Sequence, residues 1–77
     1  MNMQEVETIK PGLLLVMRRQ DKWALLQVLC EETGHWATYW TLYVLSVPEG
    51  DRYLAKGEQL FSESAIKDQM LMVAEKQ

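Results

Sequence analysis

Short apolar runs alternate with polar, turn-forming breaks along the chain, a spacing that suits strands better than helices. Residues 1–9 are polar and acidic, with Glu5 and Glu7, and are expected to form a flexible N-terminal segment. Pro11-Gly12 marks a turn. The apolar run Leu13–Met17 has the length of a buried strand. Arg18–Lys22 is a charged connection of hairpin length. In the segment Trp23–Cys30, the side chains of Ala24, Leu26, Val28 and Cys30 fall on one face of an extended chain. Glu31–Gly34 reads as the next turn. Residues 36–47, Trp-Ala-Thr-Tyr-Trp-Thr-Leu-Tyr-Val-Leu-Ser-Val, are dominated by types that fit a pleated surface, and their length predicts a bend or bulge. Pro48-Glu49-Gly50-Asp51 closes that segment, and the spacing counted from Val47 suits a type I turn.

The last third admits two readings. Tyr53–Ala55 and Gln59–Phe61 flank Lys56-Gly57-Glu58, which serves as a hairpin turn or as a loop pivoting on Gly57. A serine cap before Ala65-Ile66 predicts a short helical turn, followed by a closing strand in the run Met70–Ala74. The alternative is an α+β chain with a C-terminal helix at about 63–76, since Ile66, Met70, Val73 and Ala74 share a helical face and helix formers dominate there. The compact apolar run favours the strand. The expected fold is therefore all-β: five strands forming a small barrel over residues 10–77, with one short helical turn before the last strand.

The order of these pieces resembles a small Src-homology-3-like (SH3-like) barrel of the Tudor and KOW type. The matching residues are Pro11-Gly12 with Leu15-Val16, Trp23 with Val28, Tyr43 with Leu45, and Ser64-Ala65-Ile66 before Met70–Val73. The chain departs from that pattern in its long aromatic segment and in the helix-forming residues of its last run. The resemblance implies a module that binds a partner and does not catalyse.

Composition narrows the function. The 77 residues are 48% hydrophobic and 25% charged, a globular balance large enough for one domain. Eleven acidic against eight basic residues leave a net charge of -3, which disfavours gripping nucleic acid by bulk charge. No apolar run approaches the roughly 20 residues of a membrane span. The first residues show no secretory signal, and the single cysteine, Cys30, permits no internal disulfide, so a cytoplasmic setting is expected. Five methionines give an adaptable core or contact surface, and association with a second copy is kept open.

Trp36, Tyr39, Trp40 and Tyr43 crowd into eight positions. In an extended strand Trp36 and Trp40 take one face and the two tyrosines the other, so a single small core leaves one pair exposed. An exposed aromatic pair is the kind of surface that seats a protein partner. Trp23, Arg18 and Arg19 are expected to form its rim. The same basic turn, with Lys22 added, supports the rival reading of a small nucleic-acid-binding module. Cys30 and His35 are close enough in sequence for a nucleophilic pair, but no glycine-rich oxyanion element accompanies them, and a thiol on an apolar face is inert. Cys30, Glu31, Glu32 and His35 lack the second cysteine or histidine of the usual metal sites, so no metal or cofactor is expected. The leading expectation is a non-enzymatic interaction module, whether accessory subunit, adaptor or inhibitor. An oligomeric enzyme with its site at a subunit interface is the third alternative.

Overall fold

A computed structural model describes residues 2–74. The fold is mostly β. It comprises β1 (Asn2–Glu5), β2 (Leu14–Arg19), β3 (Lys22–Thr33), β4 (Thr38–Ser46), β5 (Gly57–Ser62), helix α1 (Glu63–Gln69) and β6 (Met70–Ala74). The strands form one open antiparallel sheet in the order β1-β6-β2-β3-β4-β5.

Alternation sets the inner face. Leu15 and Met17 of β2, Ala24, Leu26 and Val28 of β3, and Trp40, Leu42 and Val44 of β4 all point into one core. That core is closed by residues from outside the central strands: Val6 and Ile9 after β1, Leu54 from the β4–β5 connection, and Ile66 of α1. Two turns hold these coverings in place. Leu13 N–H donates to Lys10 O at 3.2 Å, with Pro11 second and Gly12 third at φ +91°, as a type II turn requires. Asp51 N–H donates to Pro48 O at 3.2 Å around Gly50 at φ +90°. This second turn starts one residue later than the spacing from Val47 suggests, and its positive φ makes it type II rather than type I.

The sheet has six strands where the sequence pattern gives five. The added strand is β1, within the polar segment 1–9. Its pairing partner is β6, in the register Met3 to Val73 and Glu5 to Leu71, so a free sheet edge organises residues whose own propensity is weak. The stretch Tyr53–Ala55 is not a strand, and β5 begins only at Gly57. Nor is there a helix over 63–76. Helix α1 is capped by the Ser62 hydroxyl, which accepts from Ala65 N–H at 3.2 Å, and it ends at Gln69. Seven residues are too few for a helix to stand alone, and the burial of Ile66 holds this one. Met70 then turns extended because Met70, Leu71 and Met72 pair with Met17, Val16 and Leu15 of β2. A strand places Met70 in the core and Leu71 on the opposite face, and that pairing outweighs the helical propensity. Residues 75 and 76 of the alternative helix lie outside the described residues.

Bulges fall on both strands of the longest pair. Against Val28 and Cys30 of β3 stand the consecutive residues Leu42 and Thr41, so Leu29 is the extra residue. Against Leu25 and Leu26 stand Ser46 and Val44, so Leu45 is the extra residue on β4. The first bulge turns Cys30 away from the apolar face that simple alternation assigns to it, and Cys30 is exposed.

Candidate functional site

The outer face of β3, β4 and β5 collects exposed apolar side chains. Tyr39 and Tyr43 of β4 point away from the core and are 37% and 41% exposed. Thr41 lies between them, opposite Cys30 on β3 and Leu60 on β5. Tyr43 stands opposite Gln27 and Glu58, and Tyr39 opposite Glu32 and Ser62. The two bulge residues, Leu29 and Leu45, are also exposed, and Leu60 is 59% exposed. A protein of this size ordinarily scatters such side chains singly, whereas here they are neighbours on three adjoining strands.

The four clustered aromatic residues do not act together. Trp40 lies on the opposite face from the tyrosines, 6% exposed, and its indole N–H donates to Glu63 Oε1 at 3.1 Å. That bond ties β4 to the first turn of α1. Trp36 is outside the strand, in the 34–37 turn, and 97% exposed. The β3–β4 hairpin therefore projects past the core, with residues 29–37 exposed and a tryptophan at its tip. Gly34 allows the ring of Tyr39 to pack closely at the base of this tip: a Cβ there would stand 3.4 Å from the tyrosine ring and 3.0 Å from Ala37 O.

Charge is segregated along β3. From Gln27 to the end of β3, and throughout β4 and β5, there is no lysine or arginine, while Glu31, Glu32 and Glu58 are present. Glu32 is held in place: its Oε2 accepts from the Cys30 thiol and from the Thr41 hydroxyl, each at 3.3 Å. The Cys30 thiol is pushed above its ordinary pKa, first by that hydrogen bond to Glu32, then by desolvation and by the charges of Glu32 and Glu58, with Thr41 opposing. The neutral thiol is therefore favoured, the wrong form for a nucleophile.

Four of the eight basic residues, Arg18, Arg19, Lys22 and Arg52, gather near the other end of β3. Arg18 lies over the Trp23 ring, 5.3 Å from its centroid, and its Nε donates to Gln20 O at 2.9 Å. Gln20 reaches that position at φ +59°, the left-handed region, in the turn that joins β2 to β3. Arg19 makes a forked pair with Asp51, Nε to Oδ2 at 2.7 Å and Nη2 to Oδ1 at 3.3 Å. Asp51 Oδ1 also accepts from Tyr53 N–H and Leu54 N–H, both at 2.9 Å. The Arg19 guanidinium, helped by these two amides, holds the Asp51 carboxyl well below its ordinary pKa. This pair fastens the β4–β5 connection to β2 and delivers Leu54 to the core. Of the residues that the sequence singles out, the structure thus brings Tyr39 and Tyr43 together, sets Trp23, Arg18 and Arg19 apart from them, and leaves Trp36 alone at the hairpin tip. Leu29, Leu45 and Leu60 escape sequence reasoning because two of them are bulge residues and the third lies on a strand with no clear alternation.

Among the described residues no helix is long and apolar enough to cross a membrane. The chain matches no family model, no curated protein and no solved structure.

Proposed function

We propose that this protein is a non-catalytic interaction module that docks a protein partner on the outer face of β3, β4 and β5. The observation that carries the reading is the contiguity of Tyr39, Tyr43, Leu29, Leu45 and Leu60 on that face. Rings and aliphatic side chains left in water at neighbouring positions gain most from being covered, and tyrosine loses little conformational freedom when it is. The partner is an apolar segment flanked by basic side chains, because the strands here offer Glu32 and Glu58, and neither β4 nor β5 contains a lysine or arginine. Trp36, at the tip of the projecting hairpin, is placed to grip the same partner. Trp40 serves as scaffold.

We also read the six-stranded sheet as an SH3-like barrel with β1 appended. Support comes from the connectivity: the strand after α1 returns beside β2, so β2 to β6 follow the order on which the resemblance rests.

The test is capture from a lysate of the source cells on immobilised protein, comparing wild type with a Tyr39→Ala/Tyr43→Ala variant. A defined set of proteins should be retained by the wild type and lost by the variant, with far-UV circular dichroism of the two unchanged. If the folded variant keeps the same proteins, the docking reading fails.

A further inference from the structure

The Arg18–Lys22 turn and the loop 48–53 face each other across an open cleft of about 460 Å³. All three arginines of the chain, Arg18, Arg19 and Arg52, line it, together with Lys22. The acidic residues lining it are Glu49 and Asp51, and Asp51 is already matched by Arg19. With Arg19 and Asp51 matched, Lys22 and Arg52 against Glu49 leave the lining a small positive excess on a chain whose net charge is -3, with Asp21 in the same turn.

The cations are of two kinds. Arg18 and Arg19 are fixed, one by Trp23 and the Gln20 carbonyl, the other by Asp51. The Arg18 guanidinium covers Trp23, which does not line the cleft, so Arg18 borders the cleft without offering its donors to it. Lys22 and Arg52 are exposed and have no ion-pair partner among the described residues. An unpaired guanidinium beside an unpaired ammonium suits a tetrahedral oxyanion, which accepts from a planar fork and from a compact donor at once. The Tyr53 ring, 87% exposed, stands at the same cleft.

We propose that this cleft is a binding site for a phosphate group, with Lys22 and Arg52 as its donors and Tyr53 as a platform for a planar group attached to the phosphate. The site is separate from the aromatic face and does not depend on it.

The probes are inorganic phosphate and adenosine monophosphate, each titrated into the 15N-labelled protein at pH 7 and constant ionic strength. Amide shifts at residues 20–22 and 49–53 should saturate. A Lys22→Gln/Arg52→Gln variant should need at least about tenfold more phosphate for the same shift, the loss of charge-assisted hydrogen bonds being worth that much. Both side chains are exposed, so the variant's spectrum should otherwise overlay that of the wild type. Tighter binding of the nucleotide than of phosphate, abolished by Tyr53→Ala, assigns the site to a phosphorylated aromatic ligand. Equal binding of the two assigns it to the phosphate alone. Shifts that stay linear to 50 mM for both probes (about the weakest binding worth calling specific), or that saturate identically in the double variant, would overturn the proposal.

Discussion

Leu42 and Tyr43 are neighbours on β4 and face opposite ways, so truncating each in turn tests the assignment of the two sheet faces. Leu42 is fully buried. Leu42→Ala removes apolar area from the core and leaves a cavity among Leu26, Val44 and their neighbours, at a cost of about 2–5 kcal/mol. A chain of this length has about 4–12 kcal/mol of stability in all, so the variant should lose a large part of it. Tyr43 is 41% exposed and packs only along the surface of the sheet. Tyr43→Ala should cost about 1 kcal/mol, as for a partly exposed position. Urea unfolding followed by tryptophan fluorescence reads both, since the buried Trp40 indole reports on the core. The midpoint for Leu42→Ala should fall well below that for Tyr43→Ala, with the urea dependence of each variant close to that of wild type. Equal losses, or a larger loss for Tyr43→Ala, would mean that the register of β4 is displaced by one residue and that the tyrosines are core.

Two further outcomes follow from the electrostatics. Asp51 is held below its ordinary pKa of 3.8, so the stability it supplies is present above that value and is lost as pH falls through the lower, folded-state value. Below pH 4 the urea midpoint of wild type should therefore drop more steeply than that of Asp51→Asn, which is less stable at neutral pH but lacks the titrating group; parallel curves would refute the pairing. The Cys30 thiol, although exposed, should react with iodoacetamide at pH 7.5 more slowly than an ordinary cysteine, and Glu32→Gln should speed it by removing the bond that favours the protonated form. An unchanged rate in that variant would show that Glu32 does not govern the thiol.

Parity made much of the sheet legible from residue types. The alternation of Ala24, Leu26 and Val28 assigned the inner face of β3 correctly, and the four-residue spacing of Tyr39 and Tyr43 put both on one face opposite Trp40. The same rule failed at Cys30, because a bulge at Leu29 adds a residue without altering composition. It also failed for Trp36, which falls in the tip of the hairpin rather than in the strand. Propensity alone points the wrong way at both ends of the chain. The mostly polar residues Asn2–Glu5, expected to be flexible, become a strand because β6 offers them an edge, whereas the compact apolar run Met70–Ala74, read as a closing strand against its helical propensity, is one and pairs with β2. The Arg19–Asp51 pair joins positions 32 apart, and Arg52 and Tyr53 reach the basic turn only through that link. Local pattern carries no trace of such a contact.

The charge segregation along β3 gives the molecule an electrical polarity. Twelve residues of strand span about 35 Å, with Lys22 at one end, beside Arg18 and Arg19 of β2, and Glu31 and Glu32 at the other. Such a dipole turns in the field of any charged surface before contact is made. A charged surface therefore meets this chain in a preferred orientation rather than at random.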